Sequence, residues 1–223
     1  MSHRHATLLA LIVVGAAAVC LAGDRAAAAE KAPPAGKALF DGKSLAGWKS
    51  TPFGGEGKVV VRNGMIVMEL GASMTGVTWT GKPPQSNYEL TLEGMRLDGS
   101  DFFCTTTFPV GKDFCSLVVG GWGGTVVGIS CVDNFDASEN PTSSFHEFKN
   151  NTWYRVRIRV TDAKIEAWID DKQVVNQDRK EHTFRVRMEC DLSRPLGIAT
   201  WNTSGAVRNI RLREFEPEGP AAK

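Results

Sequence analysis

Three carboxylates and two amides fall within the eight residues Asp133-Asn134-Phe135-Asp136-Ala137-Ser138-Glu139-Asn140. Such a cluster suits a loop held by a rigid scaffold, where functional side chains concentrate. Asp133, Asp136 or Glu139 could serve as a general base, or two of them could flank a scissile glycosidic bond. Asn134 and Asp136 add donors and acceptors suited to sugar hydroxyls. The same residues also suit a solvated acidic turn with Asx caps. The spacing resembles oxygen-rich calcium loops, but the Asp-x-Asn-x-Asp-Gly pattern is not met. The sequence therefore requires no cofactor and leaves a divalent metal open.

Gly120-Gly121-Trp122-Gly123-Gly124 is the second candidate. Glycines around a Trp let backbone approach closely and leave the ring uncovered, which suits stacking on a sugar face. No Lys-Ser/Thr follows, so this is not a phosphate loop. Trp201, followed by Asn202, is a second stacking candidate. Each Trp is equally a packing residue in a core. If both rings flank one groove, sugar recognition is the better reading. His146 and His182 are the histidines left once the N-terminal segment is removed, and either could titrate near neutrality. His146 stands closer to the acidic run and is preferred as the base.

The N-terminus sets the compartment. Arg4 between His3 and His5 precedes an apolar stretch from Leu8 to Val19, too short for a membrane span of roughly 20 residues. Residues 1–29 are expected to be a Sec-type signal peptide cleaved after Ala29, giving a periplasmic or extracellular protein. A lipoprotein through Cys20 competes, although Val19 and Ala17 depart from a lipobox. Removal of residues 1–29 leaves 24 basic and 24 acidic residues. A neutral chain offers no electrostatic footprint for nucleic acid or an anionic membrane. Cys104, Cys115, Cys131 and Cys190 remain, and an even count in an oxidising compartment reads as disulfides. Cys104 and Cys115 flank a turn-like segment and are the expected pair, with Cys131 and Cys190 unassigned.

Strands must position these residues. Tyr88, Leu90 and Leu92 alternate with Glu89, Thr91 and Glu93, and Tyr154, Val156, Ile158 and Val160 alternate with Arg155, Arg157, Arg159 and Thr161. Such runs bury one face and solvate the other. Thr161-Asp162-Ala163 should turn the second run into a hairpin with 164–170. Further strands are expected at 58–61, 64–70, 76–80, 101–108, 114–120, 124–131, 184–188, 196–200 and 206–213. No segment after residue 29 sustains helical periodicity over three turns. An all-β sandwich of two antiparallel sheets follows, bounded by a linker at 30–37 and an unstructured tail at 216–223, with the domain at 38–215. The Arg155, Arg157, Arg159 stripe reads as the solvent face of a strand, or as a polar wall of a groove.

Leu39-Phe40-Asp41-Gly42-Lys43-Ser44-Leu45-Ala46-Gly47-Trp48 resembles the opening signature of the bacterial 3-keto-disaccharide hydrolase domain family. Arg62-Asn63-Gly64-Met65-Ile66, Asn87-Tyr88-Glu89-Leu90, Trp153-Tyr154-Arg155-Val156, Ile165 to Asp170 and Val207-Arg208-Asn209-Ile210 follow in that family's order. The resemblance covers roughly residues 38–215 and implies a concanavalin A-like jelly-roll sandwich. It implies a carbohydrate partner and action on glycosides oxidised at C3, where the ketone acidifies the C2 hydrogen and the C1 substituent leaves by elimination before water adds. The alternative is a non-catalytic lectin-like glycan-binding or structural module. Two stretches depart from the family pattern. Phe114 to Gly121 replaces a polar Gly-Tyr-Glu-Val-Gln-Ile type strand, and Gly197 to Asn202 replaces Gly-Leu-Gln-Asp-His-Gly.

Overall fold

The computed structural model describes residues 36–217. The segment expected to be a signal peptide, with Cys20, and most of the expected linker and tail lie outside the described residues. The alternating sequence folds into two antiparallel sheets. One runs in the order β13 (Lys172–Asp178), β12 (Lys164–Ile169), β11 (Trp153–Val160), β6 (Tyr88–Gly99), β15 (Thr203–Glu214), β4 (Met65–Met68) and β3 (Val59–Arg62), with β1 (Lys37–Ala38) also pairing β15. The other runs β10 (Ser144–Phe145), β9 (Val126–Ser130), β8 (Asp113–Gly121), β7 (Thr105–Val110), β14 (Gly197–Trp201), β5 (Met74–Trp79) and β2 (Trp48–Ser50). The protein is thus the all-β sandwich of two antiparallel sheets expected from the alternation, with the jelly-roll architecture that the resemblance implied. Lys37 already pairs with Leu212, so the folded domain begins inside the expected linker.

The core lies between the sheets. Leu90, Leu92, Val156, Ile158, Ile165 and Ile169 face Phe108, Leu117, Val119, Val127, Ile129 and Ile198 within one buried cluster. Removing that much apolar surface from water is the main driving force for the fold. Two large polar side chains inside are matched: Tyr88 donates to Pro109 O at 2.6 Å across the sandwich, and Trp48 Nε1 donates to Leu39 O at 2.8 Å. Thr161-Asp162-Ala163 closes the expected hairpin, with Val160 opposite Ile165.

The expected Cys104–Cys115 disulfide is overturned, because all four cysteines are buried free thiols. The hairpin register gives the reason. Phe108 stands opposite Cys115 and Thr106 opposite Leu117, so Cys104 lies well beyond Cys115 along the ladder. At that distance two Cα atoms exceed the separation a disulfide can span. Cys104 instead packs on Gly94 of β6, where an added Cβ would come 2.5 Å from its sulfur. Gly94→Ala is therefore expected to destabilise the domain by about 1–3 kcal/mol through overpacking. An unchanged denaturation midpoint would contradict this tight packing.

The expected strand at 184–188 is also corrected. The segment is extended but pairs only through the bridge of Phe184 with Val132 and through reciprocal bonds between Arg185 and Cys131 (2.5 and 3.3 Å). It then enters a 3-10 turn, Met188–Ser193. Arg155, Arg157 and Arg159 alternate with core residues of the eight-stranded sheet, so they sit on its outer face. There Arg157 and Arg213 pair with Glu89, Arg208 pairs with Glu93, and Arg157 lies 3.7 Å over the Trp168 ring. This stripe walls no groove on the seven-stranded sheet.

Candidate functional site

Alternation decides where a groove can form. Leu117 and Ile129 point into the core, so their neighbours Ser116, Val118 and Ser130 point out of the other face of the seven-stranded sheet. These three, with Thr105, floor a concavity of about 210 Å³. Ser116 is tied to Thr107 at 2.8 Å, and Ser130 Oγ accepts Ala137 N at 2.8 Å, so the floor is fixed by its own hydrogen bonds. The walls are Asp101, Phe102, Trp122, Trp201 and the residues Arg187, Glu189 and Cys190 of the segment that crosses the sheet.

Trp122 is set by the glycines around it. β8 ends at Gly121, and Trp122 itself adopts φ 49°, flanked by Gly120 at φ 79° and Gly123 at φ 85°. Such left-handed backbone is inexpensive at glycine, so the turn reverses tightly and leaves the ring 42% exposed. Asp101 links this turn to the second tryptophan. Its Oδ2 accepts Gly123 N at 3.0 Å and its Oδ1 accepts Phe102 N at 2.7 Å, while Phe102 O accepts Trp201 N at 3.0 Å. The Phe102 and Trp201 rings lie 6.3 Å apart. A carboxylate thus stands between two aromatic walls.

Arg187 organises the opposite wall. Its Nε and Nη2 grip both oxygens of Glu189 at 3.2 and 3.0 Å, its Nη1 reaches Asp136 at 2.9 Å, and its Cζ lies 5.5 Å from the Trp122 ring. The fork holds the Glu189 carboxyl below its ordinary 4.5 and raises Arg187 in turn. Cys190 is nearly enclosed, and burial pushes its thiol up to about 12, too high for a thiolate nucleophile at neutral pH.

A carboxyl whose folded pKa is depressed stabilises the fold above its unfolded value, and that contribution is lost as pH falls through the folded one. Glu189 and Asp133 are both lowered from their ordinary 4.5 and 3.8. The segment carrying Arg187 is therefore expected to hold its place at neutral and mildly acidic pH and to loosen only below these values. Backbone amide exchange at residues 183–189 against pH checks this, and loosening between pH 7 and 5 would contradict it.

The acidic run is distributed rather than gathered. Asp133 binds His182 Nδ1 at 2.6 Å and Thr183 N at 2.8 Å, Asn134 accepts Arg185 Nε at 2.7 Å, and Asp136 holds Arg187. These contacts fasten the crossing segment to the loop. Glu139 is exposed and away from the groove lining, with its N–H bonded to Asp136 O at 2.9 Å. His146 packs on Phe148 and Tyr154 at 4.5 and 5.8 Å, outside the groove, and burial together with Lys172 lowers its pKa. Asn202 is exposed, with its N–H on Ser73 O at 2.8 Å. Of the residues singled out by sequence, Trp122 and Trp201 share the groove and Asp136 reaches it through Arg187. Asp133, Asn134, Glu139, His146 and Asn202 lie off its lining.

Asp101, Arg187 and Glu189 escaped the sequence reading. Asp101 reads as the first residue of a strand, Arg187 as one residue of the expected strand at 184–188, and Glu189 falls just beyond it. Among the described residues, no group of three or more His, Cys, Asp and Glu side chains is placed to hold a metal ion, and no helix is long and apolar enough to cross a membrane.

The model of the 3-keto-alpha-glucoside-1,2-lyase-like domain family matches residues 35–213. The chain belongs to this family. No curated protein matches the sequence significantly. Among solved structures, a presumed glycosyl hydrolase from Parabacteroides distasonis is 13% identical, with TM-score 0.51 over 80% of this chain and 93% of that one. The Crh5 transglycosylase in complex with NAG is 13% identical, with TM-score 0.54 over 85% and 89%. SCLam, a non-specific endo-β-1,3(4)-glucanase of family GH16, is 9% identical, with TM-score 0.51 over 78% and 86%. These likenesses show a shared concanavalin-like fold. β8 offers the groove only Ser116 and Val118, and β14 offers Trp201, so charged groups enter from the loops at Asp101 and at Arg187 to Glu189.

Proposed function

We propose that this exported lyase-like domain binds a 3-keto-glycoside in the groove between Trp122 and Trp201 and cleaves its C1–O bond by elimination. The observation that carries the reading is the convergence of two tryptophans, a carboxylate and a guanidinium on one concavity of the sheet face. Aromatic faces suit the C–H-rich faces of a pyranose, and Thr105, Ser116 and Ser130 offer hydroxyls for its edges.

Asp101 is the proposed base. Its oxygens accept backbone N–H groups rather than a cation, whereas both oxygens of Glu189 are held by Arg187. A carboxylate can take a proton next to a ketone when the enolate is stabilised. Asp101 would remove the C2 proton, and the C–H electron pair would form the C2=C3 bond of an enolate. Re-formation of the C3 carbonyl would then create a C1=C2 double bond and expel the aglycone oxygen, which takes the proton from Asp101 as it leaves and restores the carboxylate. Water adds across the double bond to give the free 3-keto sugar. Arg187 has five N–H donors, of which three are engaged, leaving two for the developing enolate oxygen. The negative charge only moves from Asp101 to the substrate, so the step adds no net charge to the groove.

A second reading, a lectin-like module that binds without turnover, is favoured by one observation: no histidine lines the groove. Incubating the purified protein with 3-keto-glycosides and following aglycone release separates the two. Release that depends on Asp101 supports elimination, and saturable binding without release supports the module.

A further inference from the structure

The charges around Arg187 do not balance. One guanidinium serves two carboxylates, Glu189 through a two-point fork and Asp136 through Nη1, and Asp101 adds another carboxylate on the facing wall. An unmasked arginine in a sugar groove would be a natural seat for the carboxylate of a uronic acid, since the guanidinium fork matches a carboxylate in two parallel hydrogen bonds. Here that fork is filled from within the chain. Glu189 follows Arg187 by two residues, and both side chains line the groove together with Cys190, while Val186 is buried. Asp136 fixes the guanidinium from the other side, and Trp122 covers its face at 5.5 Å.

We infer that Glu189 is a specificity-determining residue that occupies the carboxylate seat of Arg187, so that the groove accepts uncharged sugars and rejects uronic acids. This rests on the groove being the sugar site. A uronate entering it would have to displace Glu189 from Arg187 and would face Asp101, whose oxygens are held by backbone N–H groups rather than a cation, a like-charge arrangement of the kind that excludes wrong partners. A neutral ring uses the tryptophans, the floor hydroxyls and the two remaining guanidinium N–H groups without that cost.

The test measures affinities of the full-length protein for the C-methyl analogues of 3-keto-glucoside and 3-keto-glucuronide, which have no aglycone oxygen to expel, by calorimetry at low and high salt. The expected wild-type result is preference for the neutral sugar by about tenfold or more, narrowing at high salt as repulsion is screened. Glu189→Gln unmasks the fork, and the neutral-to-uronate ratio is expected to fall about tenfold or reverse. Glu189→Asp keeps a charge at the seat and should retain the neutral preference. Equal or tighter wild-type binding of the glucuronide, or an unchanged ratio in a folded Glu189→Gln, overturns the inference while leaving the groove reading intact. Failure of both sugars to bind the wild-type groove overturns the groove reading and the inference together.

Discussion

Asp101→Asn is expected to lower kcat on a 3-keto-glycoside by about 10²–10⁴-fold, the usual contribution of a positioned general base. The amide removes the basic oxygen while keeping size and one of its two backbone acceptor contacts. Asp101 holds Gly123 N and Phe102 N with separate oxygens, so Asn leaves one of these N–H groups facing an NH2. Loss of one such hydrogen bond costs about 1 kcal/mol, which for a domain of this size lowers Tm by roughly 2–4 °C. A large fall in kcat with a small fall in Tm and saturable substrate binding is the expected pattern. Unchanged turnover would remove Asp101 from the chemistry.

Trp122→Ala is expected to weaken sugar affinity by about 10–100-fold, equivalent to the roughly 1.5–3 kcal/mol carried by a large aromatic contact. The fold should barely respond. The ring is 42% exposed, and alanine meets no greater backbone strain at φ 49° than tryptophan already bears. Calorimetry gives the affinity and thermal unfolding gives the control. Trp201→Ala differs, because that ring packs on Phe102 within a buried cluster with Met74 and Ala199. There both affinity and stability should fall. Equal affinities in wild type and Trp122→Ala would take the sugar platform away from the Gly-rich turn.

The sandwich was legible because one physical rule, period-2 burial, governs most of the chain. β6 and β11 follow it, and their register sets Tyr88 opposite Val160 and Leu92 opposite Val156 as the alternation requires. Trp122 was legible for a local reason, since four glycines around one aromatic leave the chain few other uses for it. The acidic run was legible as a loop but not as a fastener. Its partners His182, Thr183, Arg185 and Arg187 are about fifty residues away, and no local pattern marks such a pairing. Cys104 and Cys115 misled because their spacing was symmetrical only about an assumed turn. The actual turn lies at Gly111 and Lys112, which puts Cys115 opposite Phe108, four residues along the chain from Cys104. Asp101 could not be found by periodicity, as its importance comes from joining Gly123 to Phe102 rather than from its place in a strand.

A crystal of the Asp101→Asn protein soaked with a 3-keto-glycoside tests the central claim most directly, because the variant should hold the sugar without consuming it. The expected result is a pyranose ring seated between Trp122 and Trp201, with its C2 hydrogen toward residue 101 and its C3 oxygen toward Arg187. Sugar bound on the arginine-rich outer face of the eight-stranded sheet, or a groove left empty at saturating sugar, would contradict it.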